Sequence, residues 1–240
     1  MSLVFDPPLV PARLIKRYKR FLADVRFENG KELTVHCPNT GSMLGLNMPG
    51  MRVWLRDTQN PSRKYRWSWE LAEPAEGCLV GINTGQSNGL VKAALQIGLI
   101  PELAVFDVIR REVSQGNSRL DFFLTTSRGD ESCFLEVKNV TTAGGTGEPG
   151  MAVFPDAVSE RASRHLRELI ELKREGHRCG LVYCVQREDV DVVCPAVNID
   201  PVYAQTLELA RESGVEIYAL GATLSTSEVR LTRSVEVRLG

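Results

Sequence analysis

The stretch Phe134-Leu135-Glu136-Val137-Lys138 is the most informative part of this sequence when it is considered together with Asp121. Side chains two residues apart in a strand share a face, so Glu136 and Lys138 point the same way. The pattern over 119–126 predicts the preceding strand, and a turn within 127–130 sets a register that places Asp121 opposite Glu136. Because directly opposed residues have Cβ atoms roughly 4.5–5.5 Å apart, the sequence predicts two neighbouring carboxylates with an ammonium beside them.

Two carboxylates held this close repel each other. The cost is on the order of 4 kcal/mol for charges about 4 Å apart at an effective dielectric constant of ~20. A divalent cation between them would turn that repulsion into binding. The alternative is that this is the wet side of an antiparallel pair, with Lys138 as a counter-ion. The other face of the two strands is apolar, which predicts that it packs inward, and consists of Leu120, Phe122, Leu124, Cys133, Leu135 and Val137.

The composition is that of an ordinary water-soluble protein. The chain of 240 residues is long enough for one large domain or two modest ones. No run of eighteen apolar residues is present, and residues 1–8 lack the basic segment and apolar core of a signal peptide. The six cysteines form no CxxC pair, so we expect reduced thiols in a cytoplasmic protein and no membrane partner.

The net charge of −1 hides an asymmetry along the chain. Residues 1–69 hold 12 Lys and Arg against 5 Asp and Glu, whereas residues 70–240 hold 17 against 25. Aromatic residues are interleaved with the basic ones, and this combination is typical of single-strand binding surfaces. The alternative is a solvated basic face above an aromatic core.

The first third of the chain has the pattern of a small β-barrel. Short strands recur at about ten-residue spacing, and Asn29-Gly30 predicts a hairpin turn. Residues 12–25 fit either a helix or a strand. We place the domain boundary near residues 80–88, after an exit loop at 73–77.

The remaining sequence alternates strands and helices. A helix is expected over 88–97, a second from a cap at Asp156 to about Glu175, and a third over 203–213. The run 180–185 has the pattern of a strand buried on both faces. The glycine-rich segment 142–150 suits a mobile lid. This order predicts a mixed α/β fold with a central mixed sheet flanked by helices.

At this point the sequence resembles a known family. The hairpin with Asp121 and the following Glu136-x-Lys138 resemble the PD-(D/E)xK nuclease core, although Leu120 stands where the motif has proline. The wider sequence resembles the sugar fermentation stimulation protein A family. The matching segments are 14–25, 36–43, 118–122, 136–141, 154–161 and 165–169.

The resemblance implies two domains. Residues 1–84 would form an OB-like basic β-barrel, and residues 85–240 an α/β/α PD-(D/E)xK-like domain. It also implies DNA binding and a link to the regulation of maltose and other sugar genes.

We predict a single Mg²⁺ or Mn²⁺ ion held by Asp121, Glu136 and the main-chain carbonyl of Val137, because such ions prefer oxygen ligands. Lys138 would orient or deprotonate the attacking water, or stabilise charge on the phosphate. Glu112 would add a carboxylate from the preceding element, the alternative being a surface ion pair with a neighbouring arginine.

Basic residues of the predicted barrel and of the helix expected after Asp156 are predicted to contact nucleic acid. They are Lys16, Arg17, Lys19, Arg20, Arg161 and His165. For His165, a structural hydrogen bond is an equal alternative.

Three functions remain open from the sequence. The first is a metal-dependent nuclease acting on DNA or RNA, single- or double-stranded. The second is a DNA-binding regulator that keeps the carboxylates but does not cleave. The third is a module for a small anion. No helix has the pattern of a major-groove reader, so we expect weak sequence preference. The sequence does not indicate an oligomeric state.

Overall fold

The computed structural model describes residues 2–75, 77–115, 118–143 and 149–239. The predicted lid at 142–150 falls mostly on 144–148, which lie outside these residues. The strands of the first half of the chain are β1 (Leu3–Val4), β2 (Val10–Tyr18), β3 (Leu22–Phe27), β4 (Glu32–His36), β5 (Arg52–Asp57), β6 (Trp67–Ala75) and β7 (Cys78–Gly81).

The second half mixes helices and strands. The helices are α1 (Ser87–Gln96), α2 (Glu160–Arg174) and α3 (Pro201–Glu212). The strands are β8 (Val108–Gln115), β9 (Ser118–Thr125), β10 (Ser132–Val140), β11 (Gly150–Phe154), β12 (Arg178–Val185), β13 (Val190–Pro195), β14 (Glu216–Leu224), β15 (Glu228–Ser234) and β16 (Glu236–Val237). None of the helices in the described part of the chain combines the length and apolarity that crossing a membrane would take.

Strands β2 to β6 form a closed five-stranded barrel, which confirms the predicted fold of this region. The order is β4-β3-β2-β5-β6, and a parallel pairing of His36 with Ser68 closes the barrel. Residues 12–25, which fitted a helix or a strand, form β2 and β3 around a turn at Lys19 and Arg20. Apolar side chains such as Trp69, Val35 and Leu55 fill the barrel interior.

A seven-stranded mixed sheet forms the second half, in the order β1-β15-β14-β12-β10-β9-β8. Strands β10, β12 and β14 are parallel, and their neighbours are antiparallel. The predicted central mixed sheet is therefore confirmed. Strand β13 lies outside this sheet, in a separate three-stranded sheet with β11 and β16.

Both faces of the mixed sheet are covered. Helix α1 packs on one face against Phe122, Leu124 and Leu135. Helices α2 and α3 pack on the other, where β12 contributes Leu181 and Tyr183. The parallel strands are therefore buried on both sides, as such sheets require.

The two halves of the chain are joined by more than the linker. The first strand, β1, pairs with β15 of the second sheet, so the first residues of the predicted domain 1–84 lie against the second half. The main-chain N–H of Gly81 donates to the carbonyl of Gln186 at 2.9 Å. A Cβ at Gly81 would lie 2.4 Å from Gln186 Oε1, so this approach needs glycine.

The cap of α2 differs from the prediction. Ser159, not Asp156, is the N-cap, because its hydroxyl accepts the Ala162 N–H at 3.2 Å. Asp156 instead binds the barrel loop, accepting hydrogen bonds from the Ser42 hydroxyl at 3.0 Å and the Met43 N–H at 3.1 Å. The contact between Asp156 and Met43 spans 113 positions of sequence, so local spacing could not indicate it.

Candidate metal and nucleic-acid site

The carboxylate site lies where β9 and β10 separate. The ladder between them runs through Leu135 opposite Phe122, in the register that the sequence predicts. Two residues beyond Leu135, the Val137 N–H donates to the side chain of a β9 residue, Asp121 Oδ2, at 2.8 Å. The side chains of strand β9 also change faces of the sheet here. Leu120 packs on the side of α2 and α3, whereas Phe122, two residues later, packs on the side of α1. Asp121 therefore fills the gap between two strands that part.

Asp121 receives a second hydrogen bond, from a helix. The Asn88 amide in the first turn of α1 donates to Asp121 Oδ1 at 2.7 Å. The sequence interpretation missed Asn88. Its signal was a polar residue at helical spacing with the buried Val91 and Leu95.

Glu136 is almost fully buried on the α2 side of β10. Its Oε1 accepts a hydrogen bond from Lys138 Nζ at 2.7 Å and lies against His165 Nδ1. Arg161 Nε donates to His165 Nε2 at 3.4 Å, which favours the tautomer with the proton on Nδ1. The remaining oxygen, Glu136 Oε2, is buried and has no hydrogen-bond partner among the described residues.

The electrostatics of the pair are those of two interacting acids. Burial and the charge of Glu136 together raise the pKa of Asp121 above its ordinary value of 3.8. Burial also acts to raise the pKa of Glu136, but the His165 hydrogen bond and the Lys138 charge outweigh it, so that pKa is lowered. The surroundings thus disfavour the charged form of Asp121 and favour the charged form of Glu136.

The residues of this site are chemically suited to a divalent cation, chiefly because one buried carboxylate oxygen has no partner. Glu136 Oε2 supplies an unpaired lone-pair site, and a carboxylate with two hydrogen bonds, such as Asp121, keeps further acceptor capacity. Within the described part of the chain, no group of three or more His, Cys, Asp or Glu side chains is arranged to hold a metal. A cation here would therefore depend on the two carboxylates and a main-chain oxygen.

The β8–β9 register places Glu112 opposite Asp121, but the two do not form a ladder pair. Glu112 is exposed, has a positive φ of 55°, and forms an ion pair with Arg119. This is the surface ion pair that the sequence left open as the alternative to a third carboxylate.

Some of the side chains predicted to contact nucleic acid already bind other parts of the protein, and others are exposed. The Arg17 guanidinium donates to the main-chain carbonyls of Arg20, Asn39 and Gly41, so it holds two loops together. Lys16 forms an ion pair with Asp24, with 3.6 Å between Nζ and Oδ2. Lys19 and Arg20 are exposed and, among the described residues, make no ion pair.

The two residues predicted to contact nucleic acid from α2 differ in exposure. Arg161 is exposed, and its Nε also donates to His165 Nε2 at 3.4 Å. His165 is buried behind Glu136, where it orients the carboxylate, and this favours its structural alternative over phosphate contact.

The six cysteines are free thiols, and four of them are buried. Burial raises the pKa of Cys78 to about 11 and that of Cys184 to about 12, so these thiols stay protonated at neutral pH. They take no part in the site.

A closed OB-type barrel followed by a mixed-sheet α/β domain defines the class of this protein. Comparison with family models agrees with both halves: "SfsA N-terminal OB domain" matches residues 15–82, and "Sugar fermentation stimulation protein RE domain" matches residues 85–228. The chain belongs to the sugar fermentation stimulation protein family.

Relatives match along their whole length. A homolog from Thioalkalivibrio sulfidiphilus is 52% identical over 237 residues, covering 98% of both chains. One from Teredinibacter turnerae is 48% identical, covering 99% of this chain and 100% of the relative. A solved structure described as Pyrococcus furiosus SfsA in complex with Ca²⁺ superposes with a TM-score of 0.87 at 30% identity, covering 99% of both chains.

Proposed function

We propose that this protein binds DNA and hydrolyses phosphodiester bonds with one divalent cation, Mg²⁺ or Mn²⁺, held by Asp121, Glu136 and the Val137 carbonyl. The observation that carries the proposal is the buried, unpartnered Glu136 Oε2 beside a second acid. Burying such an oxygen without a partner is costly, and a cation would satisfy it. The Ca²⁺ complex of the Pyrococcus furiosus relative supports a hard cation with oxygen ligands.

The cation would supply Lewis acidity toward a phosphate oxygen and would lower the pKa of bound water. The side chains supply the rest. The Lys138 ammonium, 2.7 Å from Glu136, would stabilise charge on the phosphate or orient the attacking water. His165 holds Glu136 in place, and Asn88 and the Val137 N–H hold Asp121. Because these donors come from three elements, the acids are oriented before substrate arrives.

The barrel would supply most of the affinity for DNA through Lys19, Arg20 and their neighbours. This part of the proposal rests on charge, so it includes single strands and RNA and implies weak sequence preference. The free thiols suit the expected cytoplasmic location. The printed family name concerns sugar fermentation, and we infer that DNA binding serves the regulation of sugar genes, including those for maltose.

Cleavage is tested with labelled single- and double-stranded DNA, in Mg²⁺, in Mn²⁺ and in EDTA. The variants are Glu136→Gln and, as a matched control, Glu131→Gln, which alters an exposed glutamate of the same hairpin. We expect cleavage by the wild type and Glu131→Gln, abolished by EDTA and by Glu136→Gln. Cleavage by Glu136→Gln at the wild-type rate would show that these acids are not the catalytic site.

A second candidate is a regulator that keeps the acids but does not cleave. It is favoured by the hydrogen bonds that already engage both oxygens of Asp121. Salt-sensitive DNA binding without products in either metal would favour this function.

A further inference from the structure

A cavity of about 200 Å³ lies between the barrel and the α/β domain, beyond the end of β10. The barrel contributes the loop that carries Asn39 and Gly41, and the second domain contributes residues following Lys138. The described residues that bear polar groups on its wall are Asn39, Thr40, Thr84, Asn139, Thr141, Thr142 and Asp156.

One group in this wall is not satisfied within the protein. Thr142 is 1% exposed, and its hydroxyl is buried with no hydrogen-bond partner among the described residues. The Thr142 main chain is fixed, because its carbonyl accepts the Val153 N–H at 3.1 Å. Buried hydroxyls are nearly always paired, and a ligand bound in this cavity would supply the partner that this one lacks.

The orientation of Asn139 is also fixed. Its Oδ1 accepts hydrogen bonds from the Ser87 hydroxyl at 2.9 Å and the Gln186 amide at 2.6 Å. Its amide nitrogen therefore remains as a donor. Together with the Thr142 hydroxyl and the carboxylate of Asp156, the wall offers both donors and acceptors.

The charge of the wall selects against anions. Of the described residues that line the cavity, Asp156 alone is charged, so this part of the wall has no lysine or arginine side chain. A phosphate or carboxylate would find no cation there. The side chains of Val153 and Phe154 add apolar surface. A neutral, partly apolar ligand with donors and acceptors on its edge fits this wall.

The size and position narrow the choice. The cavity is smaller than the roughly 300–1,000 Å³ of sites for drug-sized ligands. Thr141 is three residues beyond Lys138, so their Cα atoms lie at most about 11 Å apart. That distance corresponds to about three nucleotides along a nucleic-acid strand with stacked bases.

We infer that this cavity takes one unpaired nucleobase of the strand whose phosphodiester lies at Asp121 and Glu136. The inference rests on the proposed function and deepens it, because it assigns single-stranded or locally opened nucleic acid as the substrate. Thr142 and Asn139 donate to the base edge, and Asp156 accepts from it.

The test measures binding of a short single-stranded DNA and of the same backbone made wholly of abasic sites, in EDTA to prevent cleavage. The full-length protein is used. We expect the abasic strand to bind the wild type roughly tenfold more weakly, since one base contact is worth about that factor. Thr142→Val should bind the base-bearing strand about 3- to 10-fold more weakly, while Thr142→Ser stays near the wild type.

A second measurement separates ligand binding from a structural role. Thr142→Val keeps the side-chain shape and removes an unsatisfied hydroxyl, so its melting temperature should equal or exceed that of the wild type. Equal binding of the two strands by the wild type, or unchanged binding by Thr142→Val, overturns the base site and leaves the nuclease proposal standing. Failure of the wild type to bind either strand overturns both.

Discussion

Asp121 has the least favourable surroundings of any acid in the candidate site. It is partly buried beside the charge of Glu136, and its two hydrogen bonds do not cancel those effects, since its pKa stays raised. A like charge at this position is a cost to the folded state without metal. A charged side chain at this position is explained when the charge serves binding.

Asp121→Asn should therefore stabilise the metal-free protein and abolish metal binding. The asparagine oxygen can still accept from the Val137 N–H, and the Asn88 amide can turn over so that its oxygen accepts from the new amide nitrogen. We expect a melting temperature higher by about 2–4 °C for each 1 kcal/mol of relieved repulsion. Thermal melts with and without Mn²⁺ measure both effects.

The matched control is Asp191→Asn, because the Asp191 side chain is 81% exposed and, among the described residues, forms an ion pair with the half-buried Arg233. The control should retain Mn²⁺ stabilisation. An Asp121→Asn protein that Mn²⁺ stabilises as much as the wild type would contradict this assignment.

Metal binding should weaken as the pH falls through the raised pKa of Asp121. The proton and the cation compete for the carboxylate, so protonation releases the metal. Since the ordinary pKa of 3.8 is raised here, the midpoint of loss should lie above pH 3.8. Titration of Mn²⁺ affinity across the acidic range, with circular dichroism to confirm folding, tests this. A midpoint at or below 3.8 would contradict it.

At the scale of elements, α2 connects the site to the barrel. Its N-cap is Ser159, and Asp156, three residues earlier, binds the barrel loop at Ser42 and Met43. The same helix carries His165 to Glu136. The helix therefore orients an acid of the site while the segment before it holds the other domain.

Ser159→Ala should lower the free energy of unfolding by about 1 kcal/mol, within the roughly 0.5–2 kcal/mol typical of a lost cap. Urea denaturation measures the loss. Hydrogen exchange adds a local reading: the Ala162 amide should exchange faster in Ser159→Ala but not in Asp156→Ala. Faster exchange in Asp156→Ala alone would restore Asp156 as the cap. Ser114→Ala, at an exposed position, is the control.

Elements with a strong local signal could be predicted from the sequence. The hairpin at Asn29-Gly30, the amphipathic α1 and the buried β12 each follow from local spacing or turn chemistry. The partners of the acids could not. Asn88 and His165 reach Asp121 and Glu136 across 33 and 29 residues. Helical spacing indicates which face of its helix each residue occupies, but not which acid it contacts.

At the scale of the whole molecule, the excess of positive charge lies in the barrel, but much of it is paired. Arg26, Arg52, Arg56 and Arg66 form ion pairs with acidic neighbours. The charge count in the sequence therefore overstates the free cations. Lys19 and Arg20, at the exposed β2–β3 turn, are the strongest candidates for phosphate contact.

DNA affinity should fall steeply between 50 and 200 mM salt, as it does when cations are released from a phosphate backbone. Neutralising both turn residues, Lys19→Gln with Arg20→Gln, should reduce the slope of log affinity against log salt by about 1.4–1.8. Binding titrations at several salt concentrations measure this slope. The control pair is Arg174→Gln with Arg211→Gln, at α2 and α3, and should leave the slope unchanged. If both double variants reduced the slope equally, the β2–β3 turn would not be a specific phosphate contact.

The main-chain hydrogen bond between Gly81 and Gln186 has a consequence for how a bound strand would be cut. Together with the pairing of β1 with β15, it joins the two halves at a second place, so we expect the β2–β3 turn and the acids to keep a constant separation. If the protein cuts a bound strand as proposed, that separation sets a constant distance between the held segment and the cut. Every product end should then fall the same number of nucleotides from the protected segment, whatever the bases between them.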